Sequence, residues 1–396
     1  MNSYISLAGF YTFYFATLGV WMPYWPLFMS HIGHGPAAIG LVTALSMAIK
    51  LLGPPVWGRL ADRGDFRRGI IVATSLGALV ASGLFFFDPA SLLVLAFGVA
   101  LLHFFHVGSI ALVETTAMET VTRHHWDYGR IRLWGSGGFI VLALGLGPLT
   151  DHLGLWLVPA ALSLFLFLQT LIAVTLPDAE PCHHHPHAPP PRLFSPASVF
   201  WFNLMGLLMQ LSHGAYYGFM SIHLENNGFS KTSIGFLWSL GVLAEIVILA
   251  GSNVILRRFG VSRVLIGSLI LGVARWGIYA LTLSWPFLIL GQVLHAFTFG
   301  TFHIAAIRRV FETAHPRYRA TAQSWFSSIS YGAGLGTGLL VSGWLFDAIG
   351  APALFTLMTA VALGGTFAAL RHARWFERER PEPPDSFQQP DRDDNA

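Results

Sequence analysis

The sequence predicts an all-α membrane protein with twelve transmembrane helices in two pseudo-symmetric six-helix bundles, and three observations carry that prediction. Of 396 residues, 54% are hydrophobic and 11% charged, too few charged side chains to cover a water-soluble globule of this size. The charge is confined to short breaks between apolar runs, each about the length that crosses a ~30 Å hydrocarbon core. The runs lack period-two alternation, so their backbone polar groups must be satisfied within helices rather than around a barrel.

Twelve runs can be marked in order, near 4–29, 37–57, 69–87, 91–118, 132–150, 155–176, 197–223, 232–255, 263–283, 286–307, 318–345 and 351–370. No basic n-region precedes the first and no small-residue cleavage site follows it, so it is expected to remain as helix 1. Arginines follow helix 2 (Arg59, Arg63, Arg67, Arg68), helix 4 (Arg123, Arg130), helix 6 (Arg192), helix 8 (Arg257, Arg258, Arg263) and helix 10 (Arg308, Arg309, Arg317, Arg319). The opposite side carries only Lys231, so the positive-inside rule puts both termini in the cytoplasm; the expected location is a bacterial inner membrane, crossed many times.

The halves repeat. A shift of 195 residues pairs Gly19 with Gly214, Gly33 with Gly228 and Ile39-Gly40 with Ile234-Gly235; a shift of 196 pairs Asp151 with Asp347 and Gly154 with Gly350. A duplicated six-helix unit follows, with residues 1–176 as one bundle and 197–371 as the other. Two such repeats place a solute site at their interface near the midplane. Between them, 177–196 is a Pro- and His-rich linker, and 372–396 is expected to be a disordered, charged tail. The single cysteine, Cys182, excludes an intramolecular disulfide. With His183, His184, His185 and His187 it could meet a metal, but a flexible loop offers no second shell to orient ligands, so no metal site and no cofactor are expected.

The ionisable residues inside the runs point to function, because a charge at mid-membrane costs at least about 2.5–3.5 kcal/mol unless it faces a wet cavity or a partner. They are Lys50, Glu114, Glu245 and Arg275, with Arg132 opening helix 5. At 1.5 Å per residue, Lys50 and Glu245 lie about 20 Å into helices 2 and 8, Arg275 about 18 Å into helix 9 and His295 about 14 Å into helix 10. His103, His106 and His303 are expected to bond neighbouring helices, whereas His213 stands beside Tyr216 and Tyr217.

After helix 2 the chain reads Gly58-Arg-Leu-Ala-Asp62-Arg63-Gly-Asp-Phe-Arg67-Arg68, which resembles the helix 2–3 signature of the major facilitator superfamily, with Asp65 where that family has its second glycine. The resemblance implies a conformational switch, with a close helix approach at Gly58 and an Asp62 carboxylate that meets a helix terminus or arginine in one state only. Val113-Glu114 followed by Tyr128-Gly129-Arg130-Ile131-Arg132 resembles lactose permease and its relatives, which implies that Glu114 and Arg132 touch substrate. Arg275 and His295 are similar to that group's proton-coupling pair, although Thr298 and Gln292 replace two further ionisable members. The stretches 213–219, 237–245, 274–278 and 294–295 are similar to the 3-phenylpropionate transporter family, a branch of the same group, which implies that Glu245 is the helix-8 carboxylate.

The expected function is proton-coupled uptake of a small organic acid such as an aromatic carboxylate. Arg275, Arg132 and Lys50 would supply positive charge, and His213, Tyr217 and Trp276 would line the substrate with Glu114. Glu245 and His295 would carry the proton, with Arg275 pairing Glu245 in the empty protein. Sugar or nucleoside symport, drug efflux by antiport and a non-transporting sensor are the alternatives. No Walker motif or nucleophile–base arrangement is present, so enzymatic activity is not expected, and neither nucleic acid nor a second subunit is an expected partner.

Overall fold

The computed structural model describes residues 2–61, 66–177, 197–314 and 319–379. The described residues of the expected runs are largely helical, and nine helices among the described residues are long and apolar enough to cross a bilayer. The helices are α1 (Ser3–His31), α2 (Pro36–Ala61), α3 (Arg67–Ser82), α4 (Leu92–His124), α5 (Tyr128–Leu153) and α6 (Leu157–Ala173) in the first half. The second half has α7 (Ala197–Ser212 and Gly214–Asn226), α8 (Lys231–Ala250), α9 (Val261–Leu281), α10 (Trp285–Thr313), α11 (319–349) and α12 (351–379). Nine rather than twelve qualify because α6 has 17 residues, α7 is broken at His213, and α11 runs into α12 through a break at Gly350 (φ 76°).

Local chemistry fixes several helix starts. Asn2, Ser91, Asp127 and Ser230 each accept a backbone N–H in the first turn of α1, α4, α5 and α8, satisfying donors that a helix cannot. Two features depart from regular helix. Ala296–Thr301 in α10 and Ser328–Leu335 in α11 are π-helical. The tail expected to be disordered from 372 instead continues α12 to Glu379, because His372 is buried with Nδ1 2.8 Å from the Ser198 carbonyl and Arg371 lies over Trp201.

In the first half α1 packs on α5 and α6, α3 on α4 and α6, and α2 on α4; in the second, α7 packs on α11 and α12, α9 on α12, and α8 on α10. Between halves the main contacts are α5 with α8 and α2 with α11, which the 195-residue repeat interchanges. Glycines allow both. A Cβ at Gly40 would stand 2.7 Å from the Leu339 carbonyl and 2.9 Å from Gly343 Cα, and one at Gly147 would stand 2.8 Å from Thr232 Cα. Asp151 adds a cap across the second contact, accepting from the Lys231 and Thr232 amides at 2.9 and 3.0 Å and the Thr232 hydroxyl at 2.7 Å.

These contacts lie at the end of the molecule away from the arginine-rich turns. There one apolar core runs through both halves, from Val20–Met29 of α1 to Ile234 and Leu237 of α8. At the basic end the core divides into separate clusters, one around Leu7, Phe10 and Leu112 and the other around Phe202, Leu265 and Phe302. The halves are therefore sealed together at one end and parted at the basic end.

Candidate functional site

A cavity of about 990 Å³ fills the space between the parted halves. It reaches from the exposed turn Asp127–Arg130 at the basic end to Met22, Trp238 and Tyr216 in the middle of the molecule. Both halves line it.

Glu114 of α4 and Arg132 of α5 meet in it as expected. Arg132 Nε is 3.6 Å from Glu114 Oε1, and each side chain is about one third exposed. The Tyr128 hydroxyl donates to the other carboxylate oxygen of Glu114. The Arg132 guanidinium lies flat over Phe15, 3.8 Å from the ring centroid, with Tyr11 at 5.4 Å. That seat requires Gly135, where a Cβ would come 3.1 Å from Arg132 Nη1. The ring holds the guanidinium's face while its edge stays available to an acceptor in the cavity.

The opposite wall carries Tyr216, Tyr217, Trp238, Glu245, His295 and Phe299. Glu245 has no hydrogen bond or ion pair among the described residues, and its Cγ packs where a Cβ at Gly300 of α10 would be 3.2 Å away. The His295 ring stacks on Phe299 at 5.4 Å and tilts against Tyr216 at 5.6 Å.

Four expected site residues are not in the cavity wall. Arg275 is fully buried and does not pair with Glu245. Its Nε donates to the Gly291 carbonyl at 2.9 Å and Nη1 to the Thr298 hydroxyl at 3.4 Å, while Tyr216 and Trp276 face the guanidinium at 4.2 and 4.5 Å. Electron-rich rings and a carbonyl thus take the place of the expected carboxylate. Trp276 is held behind the wall by its Nε1 bond to Ser212 at 3.0 Å, and His213 is buried beside it with Nδ1 2.8 Å from the Met209 carbonyl. Lys50 is half-buried on α2, without an ion pair or hydrogen bond among the described residues, and does not line the cavity.

Of the switch residues, Asp62 and Arg63 lie outside the described residues, as do Cys182 and His183–His187. The close helix approach expected at Gly58 is absent: no described atom comes within 4 Å of a Cβ placed there, because the halves are parted at this end. Arg67 is buried and pairs with Glu119 of α4 at 2.7 Å, and Arg68 Nη1 donates to the Leu176 carbonyl at 3.4 Å. Sequence reasoning missed Phe15, Trp238 and Phe299 as wall residues. It noted Tyr128 only as part of a motif, although its place one helical start before Arg132 puts it beside Glu114.

Comparison with known proteins shows the family of the chain. A model of the MFS_1 like family matches residues 4–357. The chain belongs to that family. As a major facilitator protein it is a multi-pass membrane protein and a secondary transporter of a small molecule, and it is not an enzyme. It is 29% identical to the probable 3-phenylpropionic acid transporter of Escherichia coli K12 over 369 residues, covering 91% of this chain and 95% of that protein. It is 26% identical to the maltose permease of Geobacillus stearothermophilus, over 94% of each chain. Among solved structures, the nucleoside transporter NupG has the same major facilitator fold, with a TM-score of 0.81 at 18% identity over 94% of this chain and 100% of that one.

Proposed function

We propose that this transporter carries a small aromatic carboxylate into a bacterial cell together with a proton, working as a monomer in the inner membrane with both termini and the basic end in the cytoplasm. The observation that carries the reading is the Arg132 guanidinium, seated over Phe15 in the wall of a cavity whose other half bears aromatic rings and Glu245, a carboxylate with no ion pair among the described residues. The substrate's carboxylate sits on Arg132 as a charge-assisted pair. Its ring lies against Tyr217, Trp238 and Phe299. Glu245, unpaired, takes the proton, which neutralises the wall facing the anion. The relative described as a probable 3-phenylpropionic acid transporter supports this substrate class. The bundle boundaries at 176 and 197 mark the two bodies that rock about the α5–α8 and α2–α11 contacts.

Thermal unfolding of the purified protein tests the substrate class, because a ligand stabilises only the state it binds. 3-Phenylpropionate is expected to raise the melting temperature and its amide not to, with Arg132→Gln losing about ten- to a hundredfold in affinity for the acid. Equal stabilisation by acid and amide contradicts the assignment. A second reading rests on the intact Glu114–Arg132 pair, which offers both acceptor and donor to a hydroxyl. It predicts stabilisation by a sugar or nucleoside, lost in Glu114→Gln.

A further inference from the structure

Two π-helical segments, Ala296–Thr301 of α10 and Ser328–Leu335 of α11, meet through Phe299 and Tyr331, with Gly300 beside Glu245, and a titratable pair that the site above does not use stands next to them. Residues four apart on a helix lie over one another. His295, Phe299 and His303 therefore form a stack, with ring centroids 5.4 Å and 6.4 Å apart and interplanar angles of 20° and 9°. Gly300 in the same segment is the residue against which Glu245 Cγ packs. His303 lies one turn beyond Gly300, about 4.5 Å along the axis toward the basic end. From α11, the π segment Ser328–Leu335 places the Tyr331 hydroxyl 2.9 Å from His303 Nδ1. Both His303 and Tyr331 are half-buried, and Arg308 at the basic end is five residues beyond His303.

We propose that His303 and Tyr331 form the proton outlet between Glu245 and the basic end. The inference rests on the proton-coupled reading above. With Nδ1–H donating to the Tyr331 oxygen, Nε2 is open to accept. The Glu245 O–H bond breaks and the Nε2–H bond forms, leaving a carboxylate and an imidazolium. The imidazolium then gives a proton to water at the basic end and returns to the neutral ring. Tyr331 holds the tautomer and acts as a positioning residue. The titratable and charged groups facing this path are Glu245 from α8, the Glu114–Arg132 pair of α4 and α5 and the Tyr216 and Tyr217 hydroxyls of α7 across the same cavity, His295 on α10 itself and Tyr331 from α11; Phe299 stands between the two histidines.

The test uses full-length protein in proteoliposomes with 3-phenylpropionate as probe. His303→Gln is expected to cut uptake driven by a pH gradient about tenfold or more, with a smaller effect on substrate exchange at equal pH. Added imidazole is expected to restore gradient-driven uptake, a rescue that a structural role for His303 would not give. Tyr331→Phe, which keeps the ring, covers the possibility that His303→Gln misfolds, and is expected to slow gradient-driven uptake in the same sense. Gradient-driven uptake at the wild-type rate in both variants overturns the outlet alone. Wild-type protein that shows no dependence on the pH gradient, or no transport of the probe, overturns the coupled reading and the outlet with it.

Discussion

Arg132 and Arg275 show how differently one residue type behaves within membrane-spanning helices. Arg132 lines the cavity over Phe15, whereas Arg275 places its donors on a carbonyl and a hydroxyl and its faces against two aromatic rings. Arg275→Gln is therefore expected to destabilise the protein by about 1–3 kcal/mol through lost ring and hydrogen-bond contacts. It should leave the preference for acid over amide intact. Thermal unfolding with both ligands checks this, and a loss of preference would return Arg275 to the substrate. Glu245→Gln is expected to abolish uphill accumulation, because the side chain can no longer change charge, and counterflow exchange at equal pH measures what remains. The sequence told the depth of these residues, since a helix rises evenly along the chain. It did not tell their direction. Arg275, His213 and Trp276 face neighbouring helices rather than the cavity, and only packing decides that angle. Glu114 and Arg132 were legible because their partner Tyr128 stands in the same short motif.

At the scale of helices, the sealed end depends on close backbone approach. Gly40 and Gly343 touch across α2 and α11, and Gly147 meets α8, so side chains at these points act as wedges. Gly40→Val is expected to cost the sealed state about 1–3 kcal/mol by overpacking, which shifts a two-state equilibrium about tenfold toward the state open at that end. Labelling by a membrane-impermeant thiol reagent at Leu237→Cys, a buried position in the sealed core, in a Cys182→Ser background reads the shift. Unchanged labelling would show that the contact carries no part of the seal. The 195-residue repeat had already singled out Gly40 and Gly235, and hence the helices α2 and α8 that bear the seal. Their partners α11 and α5 were not legible, because a repeat in the chain does not name who touches whom. The break in α7 was equally hidden: 197–223 reads as one apolar run, whereas the helix is interrupted at His213, next to the point where Gly214 meets the backbone of Gly338. The π segments likewise leave no mark in an apolar pattern.

For the whole molecule, the all-helical fold and the membrane setting could be read from the distribution of charge and apolar residues. What could not be read is the state of the molecule, with one core joined across the halves at the sealed end and two cores parted at the basic end. That arrangement explains why the approach expected at Gly58 is missing while the Asp151 cap on α8 is made. Rocking to the other state would break the cap and bring the basic ends together around an occupied site. The account's central claim is that an anion on Arg132 and a proton on Glu245 cross together. Accumulation of labelled 3-phenylpropionate in proteoliposomes under an imposed inward proton gradient tests it most directly. The account predicts uphill uptake that collapses when an ionophore dissipates the gradient and falls about tenfold or more in Arg132→Gln. Accumulation that survives the ionophore, or that is equal for the acid and its amide, would contradict it.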